Sequence, residues 1–134
     1  MFSNKPGKSQ NRIDTLIGAE TMIEGDIVFA GGLRVDGQIR GNIRAAEGAS
    51  GVLVVSEQAR IEGEVNVTRL VVNGAVVGPV TATDSVELHP RSRVTGDVTY
   101  NALEMHLGAV VDGRLVHRAA ADGKTVELKL ASQQ

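Results

Sequence analysis

Apolar and polar residues alternate along much of the chain, so that side chains two residues apart fall on the same face. Between residues 33 and 43, aliphatic side chains occupy positions 33, 35, 39 and 43, and glycines at 37 and 41 keep the same register. A period of two is typical of β-strands. No window shows the 3.6-residue spacing of an amphipathic helix. The pattern therefore predicts an all-β protein.

The alternating segments are internal repeats. Residues 33–43 match residues 70–80, which lie 37 positions later, with aliphatic on aliphatic and glycine on glycine. A variant that is two residues longer recurs at 53–65, 86–98 and 103–115. Aligned by their first aliphatic residue, the units begin near positions 15, 33, 53, 70, 86 and 103, at intervals of 16 to 20 residues.

Repeats of this length indicate a stacked architecture, because each repeat can bury its apolar face only against the neighbouring repeats of the chain. A unit of about 17 residues suffices for three short strands joined by tight bends and stacked in parallel. We therefore predict a single-domain β-solenoid of about six rungs. The side chains expected to point inward include those of Val35, Ile61, Val72, Val94 and Val111. Those expected to point outward include Arg34, Asp36, Arg40, Glu62, Glu64, Asp97 and Arg114.

Composition narrows the classes of function. The chain has 134 residues, enough for about one domain. Only 2% of the residues are aromatic against 42% hydrophobic, which indicates a narrow interior filled by aliphatic side chains. A net charge of −2 disfavours nucleic acid as a partner. The absence of cysteine removes disulfides and thiolate sites, and we expect no cofactor.

The glycines in the repeats have a structural interpretation. A bend in a narrow solenoid needs positive φ or the absence of a Cβ, and glycine supplies both. A phosphate-binding glycine loop would need a strand-to-helix junction, and no helix is predicted after any of these glycines. We therefore expect them to lie at the bends between strands.

The repeats also resemble a known family. The recurring aliphatic-x-Gly-x-aliphatic unit, with the lead-in IDTLIGAETMIEGDI at 13–27 and GGLRVDGQIRGNI at 31–43, resembles the bactofilins, which are bacterial cytoskeletal proteins. The resemblance covers about residues 13–116. It implies a right-handed three-sided β-helix, in line with the general handedness of parallel crossovers. It further implies end-to-end assembly into non-polar filaments without nucleotide, commonly on the inner face of the cytoplasmic membrane.

The two ends of a solenoid expose strand edges whose backbone groups lack partners. We expect a second copy of the chain to cover them, which makes the protein its own partner. The predicted polymerisation residues at the N-terminal end are Ile13, Leu16, Ile17 and Met22, and those at the C-terminal end are Leu103, Met105, Val111 and Leu115. Residues 117–134 read as a loop, a short alternating strand at 125–130 and a tail. That strand either forms a partial seventh turn or covers the end.

Residues 1–12 have two interpretations. They carry Met1, Phe2, Lys5 and Lys8 and no acidic residue. Polar leaders of this kind are usually disordered tails. An apolar tip followed by basic residues is also attracted to anionic lipid, and the family resemblance favours such a membrane tether. With no transmembrane stretch and no secretory signal in the sequence, we expect a cytoplasmic protein. The resemblance to the bactofilins implies a peripheral position at the inner membrane, with cell-wall or morphogenesis proteins as further partners.

Two pairs of titratable residues recur at the same place in adjacent repeats. His89 and His106 lie 17 residues apart and are expected to stack on the outside, with Glu87 and Glu104 stacked similarly. Without a convergent carboxylate or a pocket, we predict neither a metal site nor a catalytic carboxylate pair, and no enzyme.

Two other classes of protein stay open as alternatives. A left-handed β-helix acyltransferase has an aliphatic residue at every sixth position. Ile17, Ile23, Phe29 and Val35 follow that spacing, but Gly41 breaks it. The other alternative is a monomeric solenoid that binds a partner on one face.

Overall fold

The computed structural model describes residues 12–118, in which the chain winds through six turns of a β-solenoid and forms no helix. The turns are built from short strands. The strands are β1 (Thr15–Ile17), β2 (Met22–Glu24), β3 (Ile27–Phe29), β4 (Gly31–Val35), β5 (Gln38–Arg40), β6 (Ile43–Ala45), β7 (Gly51–Val55), β8 (Arg60–Glu62), β9 (Val65–Val72), β10 (Ala75–Val77), β11 (Val80–Leu88), β12 (Arg93–Thr95), β13 (Val98–Tyr100), β14 (Ala102–Met105), β15 (Val110–Asp112) and β16 (Leu115–His117). Within residues 12–118 there is accordingly no helix long and apolar enough to cross a membrane.

Each turn contributes one strand to each of three parallel ladders. The first ladder contains β1, β4, β7, the second half of β9, the second half of β11, and β14. The second contains β2, β5, β8, β10, β12 and β15. The third contains β3, β6, the first halves of β9 and β11, β13 and β16. The predicted all-β solenoid of six rungs with three short strands in each rung is confirmed.

The register of the ladders follows the predicted alignment of the repeats. In the first ladder Leu33 pairs with Leu53, Leu53 with Leu70, Leu70 with Val86, and Val86 with Leu103. These are the positions at which the repeats were expected to begin. A parallel ladder keeps equivalent side chains of successive turns about 4.8 Å apart, so the aliphatic residues form continuous columns.

Those columns fill the interior. In the second ladder the column runs through Ile23, Ile39, Ile61, Val76, Val94 and Val111. Its four middle members are fully buried, at 0% exposure, which confirms that these side chains point inward. The core contains no tryptophan, and Leu, Ile and Val supply its largest side chains.

Glycines stack at the corner between the second and third ladders. Gly63 has φ +151° and Gly78 has φ +141°, a backbone region that residues with a Cβ rarely adopt. A Cβ on Gly63 would collide with the carbonyl oxygen of Gly41, and one on Gly78 with that of Gly63. The corner therefore requires glycine both for its backbone conformation and for the close approach of the turn before it.

Side chains beside these glycines tie each turn to the next. The Asp26 carboxylate accepts a hydrogen bond from the backbone N–H of Asn42 at 2.9 Å, and the Asn42 side-chain oxygen accepts one from the backbone N–H of Glu64 at 3.0 Å. Asp97 accepts one from the backbone N–H of Arg114 at 3.0 Å. Polar corner residues thus satisfy backbone donors that face outward, which explains their place beside the glycines.

Candidate assembly surfaces at the two ends of the solenoid

Among the strands of residues 12–118, those of the first and sixth turns have neighbours on one side only. Within the described chain, β1, β2 and β3 pair with β4, β5 and β6, and β14, β15 and β16 pair with β11, β12 and β13. The outer edges of both turns therefore present open backbone N–H and C=O groups, which favour the addition of another strand.

The N-terminal end shows how the missing neighbour affects the core. Ile17, Ile23 and Ile27 occupy the inward columns of the first turn and are only half-buried. Ile39 and Ile43, which stack on two of them in the second turn, are fully buried. The columns thus stop at a partly uncovered aliphatic surface.

The structure separates the N-terminal residues that the sequence grouped together. Ile17 belongs to an inward column. Leu16 and Met22 are 59% and 51% exposed and lie on the outer faces, where they pair with Arg34 and Gln38. Ile13 precedes β1 and is also exposed. The end face is therefore formed more by the inward isoleucines, while the part of Ile13, Leu16, Ile17 and Met22 in assembly stays a prediction.

The C-terminal end brings its four predicted residues together. Leu103 and Met105 continue the two inward columns of the first ladder, Val111 that of the second and Leu115 that of the third. Met105 and Leu115 are 43% and 42% exposed, whereas Leu88 and Val98, on which they stack, are fully buried. All four side chains thus lie at the uncovered ends of columns.

Sequence reasoning missed several apolar residues at both ends. Ile23 and Ile27 could have been found from their alignment with Ile39 and Ile43, because both pairs follow the same glycine pattern. Leu107 is 95% exposed at the bend between β14 and β15. Because the alternation of apolar and polar residues does not extend through a bend, there was little indication in the sequence that Leu107 would be exposed.

Large exposed apolar side chains are confined to the two ends. Among residues 12–118, those side chains are Ile13, Leu16, Met22, Val28, Met105, Leu107, Val110, Leu115 and Val116. All of them belong to the first or the sixth turn or directly precede it. In the four turns between, outward-facing valines such as Val52, Val54 and Val77 are half-buried, so the most exposed apolar side chains of residues 12–118 lie at the two ends.

Electrostatics also tie the sixth turn to the fifth. The backbone N–H of Arg114 donates to Asp97, and the Arg114 guanidinium lies 3.2 Å from the same carboxylate. The backbone hydrogen bond first, and then the guanidinium, hold the pKa of Asp97 below its usual value. The ionised carboxylate therefore stabilises the attachment of the last turn.

The predicted histidine stack is present. The rings of His89 and His106 lie 4.7 Å apart and nearly parallel, at 14°. His89 contacts Glu87 at 3.1 Å, and His106 contacts Glu104 at 2.9 Å. Within residues 12–118 no group of three or more His, Cys, Asp or Glu side chains is arranged to hold a metal ion. The two rings form a partly exposed stack on the surface of the solenoid.

The fold and its uncovered ends define a class of protein, the parallel β-solenoid whose apolar surface lies at its ends. The family model of the bactofilins, described as polymer-forming cytoskeletal, matches residues 15–116. The chain belongs to the bactofilin family. Membership in a family described as polymer-forming and cytoskeletal supports a structural role for the chain.

Two curated relatives come from Myxococcus xanthus strain DK1622. Bactofilin BacP is 31% identical over 107 residues, a match that spans 80% of this chain and 43% of BacP. Bactofilin BacO is 28% identical over 102 residues, which span 76% of this chain and 78% of BacO. The chain thus spans less than half the length of the first relative. No solved structure matches it significantly.

Proposed function

We propose that the chain assembles end to end into filaments through its first and sixth turns, without nucleotide. The observation that carries the proposal is that, within residues 12–118, the exposed large apolar side chains lie in or next to these two turns, beside open strand edges. A second copy stacked on either end would continue the ladders and cover the half-buried columns. Apolar burial and strand pairing drive such a joint, and neither needs nucleotide hydrolysis.

The proposed filament is non-polar. When each end of a subunit joins the same end of another, every contact is two-fold and the filament has no direction. The resemblance to the bactofilins favours this arrangement over head-to-tail stacking. A filament without direction does not treadmill, which suits a stable scaffold.

The assembly test uses charged substitutions at the C-terminal columns. Leu115→Arg and Val111→Glu place a charge where a second copy would bury it, and both positions are incompletely buried in the single chain. We expect folded, short species by sedimentation velocity and negative-stain microscopy in the absence of nucleotide. Thr81→Arg is the matched control, because Thr81 lies on an outer face of the fourth turn.

The control should form filaments like those of the unchanged chain. Long filaments of Leu115→Arg and Val111→Glu would contradict assembly through the sixth turn. A chain that stays monomeric at every concentration would instead support the alternative of a monomeric binding scaffold.

We further propose that the filament is cytoplasmic, lies on the inner membrane, and acts as a scaffold in cell shape or in the localisation of cell-wall enzymes. Met1, Phe2, Lys5 and Lys8 would form the tether, and these residues lie outside the described part of the chain. The support is their chemistry, an apolar tip with basic residues, together with the family resemblance. Many copies on one filament would strengthen a weak individual contact.

Vesicle co-sedimentation tests the tether. The full chain should pellet with vesicles that contain anionic lipid, and a chain without residues 1–8 should pellet less. A variant with Lys5→Gln and Lys8→Gln separates charge from the apolar tip. Equal pelleting of all three chains would contradict the tether, while leaving end-to-end assembly unaffected.

A further inference from the structure

The outer edge of β14 is an open docking surface at the C-terminal end. β14 pairs only with β11 among the described strands, and its inward residues Leu103 and Met105 are incompletely covered. Glu104 lies between them on the outer face, in register with Glu87 of the fifth turn. A strand that pairs with this edge in parallel should thus have a cationic residue opposite Glu104, with an apolar residue before it and another after it in sequence.

A segment of the same chain has that pattern. Residues 125–130, outside the described part of the chain, read Thr-Val-Glu-Leu-Lys-Leu. Val126, Leu128 and Leu130 alternate with Glu127 and Lys129, so a strand here would have one apolar and one charged face.

Charge selects one register for this strand. With Leu128 opposite Leu103, Leu130 lies opposite Met105 and Lys129 lies beside Glu104, which places opposite charges together. The register shifted by two residues would instead put Glu127 beside Glu104, and like charges directly opposite each other are destabilising. The register with Lys129 beside Glu104 is therefore preferred.

The connection is long enough. Elsewhere the passage from the third ladder to the first takes one residue, at 101, or five residues, at 46–50. Nine residues, 119–127, separate Arg118 from Leu128. An extended chain of this length spans up to about 30 Å, so it can reach the edge with slack.

We propose that residues 125–130 pair in parallel with β14, in the register that sets Leu128 on Leu103 and Lys129 on Glu104, and cap the C-terminal end of their own solenoid. The regulatory consequence rests on the proposed function. The cap and a second copy compete for the same edge, so the C-terminal joint forms only when the strand is displaced.

Cross-linking tests the cap in the full chain, which has no native cysteine. Ala102→Cys with Glu127→Cys places two thiols on the outer faces of neighbouring strands, about 5 Å apart, and leaves Glu104 and Lys129 unchanged. A short bifunctional methanethiosulfonate reagent is added to an equal mixture of unlabelled and ¹⁵N-labelled chains, and the linked peptides are analysed by mass spectrometry. We expect linked peptides in which both halves carry the same label. Glu24→Cys with Glu127→Cys is the control, because Glu24 lies in the first turn.

Two results would overturn the cap. Linked peptides with mixed labels would show that the strand binds another copy and belongs to the joint. Linking no more efficient than in the Glu24 control would show that residues 125–130 do not bind this edge. Both results are independent of whether filaments form, so they distinguish failure of the cap from failure of the proposed function.

A second variant measures the competition. Leu128→Asp removes an apolar contact of the cap, and we expect it to lower the critical concentration for filament formation several-fold, whereas Leu128→Ile should leave it nearly unchanged. An increase in the critical concentration for Leu128→Asp would contradict the competition. If none of these chains forms filaments, the cross-linking result alone decides whether the cap exists.

Discussion

The middle turns and the end turns of this solenoid share one sequence pattern but differ in how completely they are packed. Val76 and Val94 are fully buried, whereas Ile23 and Val111, in the same column, are only half-buried. The difference arises because each turn contacts only its neighbours. Residues 12–118 thus complete four of the six turns and leave two that another strand can complete.

The largest effect is expected from one substitution made at two places in this column. Ile61→Asp puts a carboxylate between two covered turns and should destabilise the fold by roughly 3–5 kcal/mol, the usual cost of an unpaired buried charge. Ile23→Asp lies at the uncovered end, so the carboxylate keeps access to water. We expect Ile61→Asp to be largely unfolded by circular dichroism and Ile23→Asp to be folded but poor at assembly.

Equal loss of structure in both variants would show that the first turn is packed as completely as the third. Normal filaments of Ile23→Asp would show that the N-terminal end takes no part in assembly.

Two corner glycines, one in a middle turn and one in the first turn, differ in how closely the backbone of the neighbouring turn approaches them. Gly63 and Gly25 both have positive φ, +151° and +137°, but a Cβ on Gly63 would strike the Gly41 carbonyl, whereas one on Gly25 would meet nothing within 4 Å. Gly25→Ala should cost about 1–2 kcal/mol from backbone strain alone. Gly63→Ala should cost more, about 3 kcal/mol, because a neighbouring turn must also move. Urea unfolding of the two variants measures the difference, and equal costs would count against the tight stacking.

A smaller effect, of opposite sign, is expected at a bend in the fifth turn. The Ser92 side chain is buried at 2% exposure, and its hydroxyl has no hydrogen-bond partner among residues 12–118. Ala59 and Ala109 occupy the equivalent bend position in other turns. Ser92→Ala should therefore stabilise the chain by about 1 kcal/mol. A lower melting temperature for Ser92→Ala would indicate that the hydroxyl is satisfied in solution.

The smallest effect concerns pH and the attachment of the sixth turn. Because the folded pKa of Asp97 is lowered from 3.8, its carboxylate stabilises the fold above that value. This stability is lost as the pH falls from about 3.8 through the folded pKa. Asp97→Asn keeps an oxygen that accepts from Arg114 but does not titrate. We expect the melting temperature of the variant to fall less between pH 5 and pH 3 than that of the unchanged chain.

Two other carboxylates contribute to acid sensitivity in both chains. The pKa of Asp36 is lowered, chiefly by the hydroxyl of Ser56, and that of Glu62 is lowered, chiefly by the guanidinium of Arg60. Because Asp36 and Glu62 are present in both chains, the difference between the unchanged chain and Asp97→Asn reports the contribution of Asp97 alone. Identical acid profiles would show that Asp97 contributes nothing to the pH dependence.

The sequence predicted the register of the ladders because alternation and spacing act together in a stack. Leu33, Leu53 and Leu70 had to align if their glycines were to meet at the corners. The side on which Leu16 and Met22 lie was harder to predict, since each stands next to another apolar residue and a pair of apolar neighbours does not define a face. Leu107 was missed because the packing of a bend residue follows no period.

The most direct test of the account is the strand spacing along an assembled filament. End-to-end stacking predicts a meridional reflection near 4.8 Å, parallel to the filament axis, and a subunit length of roughly 30 Å for six turns. Cryo-electron microscopy or fibre diffraction of filaments grown without nucleotide measures both. A 4.8 Å repeat perpendicular to the axis, or particles that never lengthen at any concentration, would contradict the account.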